Sequence, residues 1–577
     1  MKNFIYSAGL ILIISLVGCN GDDDGIEPEV ITKPESVIFK IQKDEDTNED
    51  YQINPFDHAP MTAGIEFSLT SEEENVKVAA TVTIKGQKGA PDFTKEYSLE
   101  PDSENNQWLP IIGMYNGNNT VDVALKTGAD STVFSQTYTI AISIPTEGLG
   151  KAAEAQISGN FAGDEMIFAQ YNISERGQDF TGIIYDLSGN IRWYSDIPNS
   201  FMQFVLNSRI YVGYKGERIN RLGVYDFMGN QVEDWELPGW EDVHHDLIAN
   251  ELGNLVMTVS KDDESPVEQH LIELNPNSRQ DNKVVNGMDL SLIFPNVDEL
   301  FPDLPRGELG GNRLDHVHNN SLSSYKRGGQ TVYLCGSQRS GIAAIDQNGF
   351  PQWYLFPRNV QYKDFNDSES EARMPAAGNF PRLDYDEPPS YKTLLVKPVD
   401  DNGELINDTE VTDEGKVKPG VKFVYPFRQH GARVIDYDNN SVTFLVLDNG
   451  LFRGFETHTT TASSRAVCYK VTFPEDTSEA YGGKVQQIWS TDMEFFSPFL
   501  GQSYKTPSGN YIFTFGSIGS RALTTGDTFN YNNSSDTEMK TVIVEFNSSG
   551  KEQGRLTIPT TNQSFGVGTY RAERIKL

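Results

Sequence analysis

Three short clusters hold five of the eight histidines in this 577-residue chain. They are Val243-His244-His245-Asp246, Asp315-His316-Val317-His318-Asn319-Asn320-Ser321 and Arg428-Gln429-His430-Gly431-Ala432-Arg433. Imidazole is the side chain best suited to nucleophilic, acid–base or metal chemistry near neutral pH. His430 stands alone in a polar run before an apolar stretch, Ser441 to Leu447. Its neutral ring could act as a nucleophile on an electrophilic sulfur or phosphorus centre, or as a base. His316 and His318 are spaced i, i+2, which puts both rings on one face of a strand. His244 and His245 are adjacent, so on a strand only one of them faces inward. With His430, three imidazoles, one from each cluster, could form an open zinc site, which is the runner-up on spacing alone. Arg339 and Arg465 come after the clusters and offer planar forks for a sulfate or phosphate oxygen pair.

Clusters so far apart in sequence can act together only if the fold brings them together. A recurring unit supplies a reason. Ile183-Ile184-Tyr185-Asp186-Leu187-Ser188-Gly189-Asn190 runs into Trp193, and Val224-Tyr225-Asp226-Phe227-Met228-Gly229-Asn230 runs on to Trp235. Ala344-Ile345-Asp346-Gln347-Asn348-Gly349 runs on to Trp353, and Val542 to Gly550 is a weaker copy. Each reads as a strand, an Asp/Asn-x-x-Gly hairpin turn and a second strand. A period of about 40 residues with four strands per unit indicates a β-propeller. Its innermost strands line one channel, where the three histidine clusters can meet.

Ahead of the repeats, Val37–Ile41, Lys77–Ile84 and Gln136–Ile142 alternate apolar and polar residues between turns. Such a pattern predicts a small antiparallel sandwich. The fold class is therefore all-β, with a sandwich over 36–147 and a propeller over 148–577. Residues 20–35 form an acidic, proline-bearing linker.

Residues 1–19 read as a lipoprotein signal peptide. Lys2 gives the positive start, Ala8 to Val17 the apolar core, and Leu16-Val17-Gly18-Cys19 a lipobox, with cleavage before Cys19 and a lipid on its thiol. The apolar run is shorter than the roughly 20 residues of a membrane span. The acidic segment directly after it resembles the surface-export tether of some bacterial lipoproteins. We expect a lipid anchor at the bacterial outer membrane, on its periplasmic or outer side. Cys335 and Cys468 read as two buried free thiols in strands. A formal net charge of −35 disfavours nucleic acid and anionic membrane surfaces as partners. A homodimer is left open.

The segments Asp315 to Leu322, Gln429-His430-Gly431-Ala432-Arg433, Leu447-Asp448-Asn449-Gly450 and Ser464-Arg465-Ala466-Val467 resemble the bacterial arylsulfate sulfotransferases. Trp108 to Tyr115, with Asn119-Thr120-Val121, is similar to the sandwich that precedes their propeller. The resemblance implies a six-bladed propeller that moves a sulfuryl group from an aryl sulfate donor to a phenol acceptor, in two ping-pong steps, without a metal, nucleotide or other cofactor. It maps the nucleophile, a transient sulfohistidine, onto His430. Supporting donors map onto His318, Asn320 and the His244-His245 pair, with His245 favoured, and His316 is left a structural role. The family's sulfate-binding arginine position falls on Ser337, so Arg339, two residues on and on the same strand face, takes that role. Arg465 and His244 are expected to touch substrate as well. Two other readings remain: a metal-dependent propeller hydrolase or lyase using His245, His318 and His430, and a non-catalytic surface module that binds a glycan or protein.

Overall fold

The computed structural model of the chain describes residues 37–44, 46–71, 76–99, 102–127, 131–144, 149–172, 180–197, 202–215, 220–261, 269–278, 283–290, 293–294, 317–338, 341–355, 394–406, 420, 422–450, 463–475, 482–519, 539–560 and 568–577. Cys19, His316 and Arg339 lie outside them. The described secondary structure is β-strand apart from a short 3-10 helix at Gly150–Glu154.

Two four-stranded sheets form the N-terminal sandwich. One joins Val37–Ile41, Gln52–Ile53, Ala63–Ser71 and Asp102–Ile111; the other joins Val78–Ile84, Phe93–Leu99, Gly117–Thr127 and Ser131–Ile142. Alternation does what the sequence predicts. Along Val78–Ile84 the residues Val78, Ala80, Val82 and Ile84 are buried while those between them keep more surface. They pack on Ile65, Phe67, Leu125 and Ile140 of the same core.

The described residues of the remaining chain form six further sheets, each built on four antiparallel strands. Two of them carry a fifth strand: Val396–Val399, which is parallel to Gly483–Asp492, and Gln156–Gly159. The first strands of successive sheets pack side by side: Gln203–Leu206, Trp240–Ala249, Asn319–Arg327, His430–Tyr437 and Ser503–Lys505. The C-terminal strand Thr569–Ile575 takes the same inner place by pairing with Met166–Asn172. At the outer edge, Gln156–Gly159 pairs with Glu552–Pro559. The ring is thus closed by pairing between the two ends of the propeller region, as closure of a sheet architecture requires if open edges are to be avoided.

The repeated motif is the hairpin between the third and fourth strands. Asp186 Oδ1 accepts from the backbone N–H groups of Ser188 and Asn190 at 2.9 and 3.0 Å, and Asp226, Asp346 and Asn547 repeat the arrangement. Gly189 ends the turn at φ 83°, a conformation glycine adopts without penalty. Beyond it Trp193 is fully buried and donates from Nε1 to the Phe227 carbonyl at 2.7 Å, tying one sheet to the turn of the next. Burying such a ring contributes on the order of 3 kcal/mol. Arg192 joins the sandwich to the propeller: its Nε donates to the Gly113 carbonyl at 2.7 Å and its guanidinium lies 3.9 Å from the centre of the Tyr115 ring.

Candidate active site

His430 begins the inner strand His430–Tyr437 and is 2% exposed. A buried ion pair holds the segment that leads into it. Arg465 donates from Nε and Nη2 to Asp448 Oδ2 at 2.9 and 2.6 Å. The other carboxylate oxygen accepts from the Phe427 N–H at 2.9 Å, and Arg465 also reaches the Val424 carbonyl at 3.3 Å. Arg465, expected to touch substrate, is buried with its guanidinium engaged by Asp448. Such pairs contribute little net stability, but losing one partner leaves a bare buried charge. Its effect here is to fix the loop before His430.

Asn449 comes next in the chain. Its Oδ1 lies 2.7 Å from His430 Nδ1. The orientation of the amide is settled on its far side, where Nδ2 donates to the carbonyls of Ser497 and Leu500 at 2.8 and 3.2 Å. An amide oxygen can only accept, so Nδ1 carries the proton and Nε2 bears the lone pair. Burial pushes the His430 pKa down to about 3, and the charge of His318 acts in the same direction against the opposing contacts with Asn449 and the Arg428 backbone. The ring is neutral at ordinary pH, which is the state a nitrogen nucleophile needs.

His318 has φ 42° and directly precedes the strand Asn319–Arg327. The i, i+2 argument for His316 and His318 thus fails on position, because the pleat begins only after His318. Its carbonyl accepts from the Gln338 N–H at 3.0 Å, and the Ser337 hydroxyl donates to the carbonyl of Val317. Ser337 is therefore seated beside His318, and Arg339 lies beyond the described residues.

The His244-His245 pair departs from the expected alternation. Pairing with Leu255–Lys261 shifts register on both sides of His244, and His245 adopts φ 56°. A bulge re-aims side chains that a regular strand would send to opposite faces. The two rings consequently touch, Nδ1 to Nδ1 at 2.7 Å and edge to face at 4.8 Å. That contact has room for one proton, so one of the two rings is neutral with its proton on Nε2. The His245 ring meets His318 at 4.9 Å and Tyr570 at 5.4 Å, and Tyr570 lies 6.1 Å from His430. Three histidine clusters from three sheets therefore converge around one tyrosine.

The doublet Asn319-Asn320 sits between them as a cross-brace. Asn319 Nδ2 donates to Thr258 Oγ1 at 2.9 Å on the preceding sheet, and Asn320 Nδ2 donates to the Gln429 carbonyl at 2.8 Å on the next one. The backbone carbonyl of Asn320 accepts from Tyr570 Oη at 2.9 Å and Gln502 Nε2 at 3.0 Å. The sequence assigns Asn320 to substrate; its amide nitrogen anchors the peptide just ahead of His430, and its Oδ1 has no hydrogen-bond partner among the described residues. Cys335 and Cys468 are both buried and unpaired.

The roles of Asn449 and Tyr570 are not legible in the sequence. Asn449 stands in a turn-like Asp-Asn-Gly, which reads as local geometry. Tyr570 lies far from every histidine in sequence. The one available signal is the alternation of Arg571 and Glu573 in the terminal strand. Among the described residues no group of three or more His, Cys, Asp or Glu side chains is placed to hold a metal ion.

The site is a set of largely buried imidazoles gathered where the inner strands of a propeller meet. The chain belongs to the arylsulfotransferase family. The Arylsulfotransferase (ASST) family matches residues 160–571, and the Arylsulfotransferase Ig-like domain matches residues 51–143. The protein is accordingly a sulfotransferase enzyme, and an aryl sulfate donor and a phenol acceptor are consistent with that family. No curated protein matches the chain. Among solved structures it is similar to a DUF4623 family protein from Bacteroides eggerthii, at 9% identity and a TM-score of 0.26 over 85% of this chain and 88% of that one. It is also similar to a glucose dehydrogenase, at 10% identity and a TM-score of 0.27 over 70% and 98% of the two chains. Likenesses this distant say nothing about substrate or mechanism.

Proposed function

We propose that the enzyme works by two half-reactions through His430. In the first, the Nε2 lone pair forms an N–S bond while the ester S–O bond breaks, and the donor leaves as a phenolate that takes up a proton. In the second, the acceptor phenol oxygen attacks the same sulfur, the N–S bond breaks and the phenol proton is released. His245 and His318 are the neighbours that stabilise the sulfuryl oxygens and carry the proton, as preorganised donors do for other transferring groups. Arg339 joins them on the strength of the family resemblance. The observation that carries this reading is the Asn449 contact: it holds a buried, neutral His430 in the tautomer whose Nε2 can attack.

The test is transfer from 4-nitrophenyl sulfate to a phenol. Replacing His430 by Ala should abolish transfer and the initial burst of nitrophenol. Full transfer by that variant would sink the nucleophile. Sulfate release at the same rate with and without acceptor would make the enzyme a sulfatase.

The lipobox ending at Cys19 supports a further proposal, that the enzyme is tethered by lipid to the outer membrane. Among the described residues no helix is long and apolar enough to cross a membrane. Radiolabelled palmitate incorporation lost on Cys19→Ser would support the tether, and unchanged incorporation would refute it.

A further inference from the structure

One buried carboxylate reaches all three segments that carry the site histidines. Asp246 is fully buried and comes directly after His245. Its Oδ2 accepts from the Leu322 N–H at 2.8 Å, four residues past His318, and from Arg433 Nη2 at 2.8 Å, three residues past His430. Its Oδ1 pairs with Arg571 Nη1 at 3.3 Å, next to Tyr570. Arg433 also donates from Nη1 to the Leu322 carbonyl at 2.6 Å. Arg571 closes the loop by donating from Nη2 to the carbonyl of His245 and from Nη1 to Tyr504 Oη at 2.9 Å. The guanidinium of Arg433 stacks 4.5 Å above the Tyr504 ring, and that of Arg571 lies 4.5 Å above Phe204. The cluster thus spans the inner strands of the six propeller sheets formed by the described residues.

The arrangement is costly unless it has a use. Two guanidinium groups and the Asp246 carboxylate are taken out of water beside the Glu573 carboxyl, and an apolar plug of equal volume would be no less stable. What an apolar plug cannot do is fix register between strands that share no sheet. Among the described residues the inner strands of neighbouring blades are not paired with one another. His245 and His318, moreover, both sit in left-handed backbone positions. Such positions persist only when the surroundings hold them.

We propose that Asp246 is a positioning residue: from beneath the site it locks the segments of His245, His318 and His430 into the register in which their imidazoles converge. The proposal rests on the sulfuryl-transfer reading for its kinetic arm only. Asp246→Asn keeps the shape but replaces one of the two acceptor oxygens with a donor and removes the charge that pairs with both arginines. It should lower kcat for transfer from 4-nitrophenyl sulfate at least tenfold while KM changes less than threefold. Glu545→Gln serves as the stability control. Glu545 forms a buried ion pair with Arg574 at 2.5 Å where the ring closes, so its loss should lower Tm and leave kcat per folded molecule unchanged. If Asp246→Asn does not fold, Arg571→Lys takes its place, keeping the charge and losing the fork; the same fall in kcat is expected.

A second readout does not depend on catalysis. With imidazole-labelled histidine in the full chain, the NMR signals of His245, His318 and His430 should all move in Asp246→Asn and stay in place in Glu545→Gln. Moved signals in a protein with no transferase activity would support the lock while the sulfuryl-transfer reading falls. A folded Asp246 variant with kcat within twofold of the parent, or with unmoved histidine signals, overturns the proposal.

Discussion

Asn449 decides which nitrogen of His430 carries the proton. The 2.7 Å contact works because the other end of the same amide is fastened to two carbonyls, so the oxygen has nowhere else to point. Removing the amide should release the tautomer without emptying the pocket. We expect Asn449→Ala to lower kcat by about 10- to 100-fold, less than the loss of a whole acid–base group would, with KM nearly unchanged. Asn449→Asp should behave differently, since a carboxylate beside the ring favours imidazolium and so opposes attack. Steady-state transfer kinetics with 4-nitrophenyl sulfate measure both.

The depressed pKa of His430 fixes the sign of a pH effect. Its folded value, about 3, lies below the ordinary 6.5, so the ring stays neutral well into the acid range. The rate of the nitrophenol burst, which reports the first half-reaction, should change less than about threefold between pH 7 and pH 5 on account of His430. A ring with an ordinary pKa would lose roughly 25-fold over that interval. The same shift costs stability in acid: the unfolded chain takes up the proton as pH falls below 6.5, and the folded protein resists until about 3.

Glu573 shows the opposite sign. Burial pushes its carboxyl up to about 7, with Asp246 adding to the rise and Arg571 and Arg433 opposing it. A raised carboxyl pKa gives stability that is complete below the ordinary 4.5 and is lost as pH climbs through 7. Glu573→Gln should therefore flatten the fall in Tm between pH 5 and pH 8. Thermal unfolding followed at several pH values tests it; a parallel pH dependence in variant and parent would contradict it.

Arg465 and Asp448 should fail asymmetrically. Arg465→Leu leaves a fully buried carboxylate without its partner and should cost about 3 to 5 kcal/mol of stability. The double change Arg465→Leu with Asp448→Leu should recover much of that loss, yet it also frees the loop before His430. Denaturant unfolding is expected to show the rescue, and kcat to show none.

The sandwich and the propeller repeat are readable in the sequence because both rest on short-range rules. Val78, Ala80 and Val82 alternate as a pleat demands, and Asp186 and Gly189 announce their turn through chemistry within five residues. The site yields less. His244 and His245 break alternation through a bulge that no spacing reveals, and His318 sits one residue outside its strand. Arg465 reads as a free fork, whereas its partner Asp448 is 17 residues away on the neighbouring strand. Asn320 reads as a substrate contact, and its added use, an amide nitrogen donating to Gln429 109 residues distant, has no local signal. These partnerships are set by which inner strands become neighbours, and that information belongs to the closed ring and to no local segment.

The strand Thr569–Ile575 that closes the ring also delivers Tyr570, Arg571 and Glu573 to the centre. The link from Arg571 to His245 joins residues 326 positions apart. Contacts of such separation are the slowest to form, because the loop between them must be ordered first. The gathering of His245 and His430 around Tyr570 is therefore expected late in folding. Until the last strand docks, Tyr570 and Arg571 are missing from the place where the histidines gather. A copy shortened by those few residues could fold most of its sheets and remain inert.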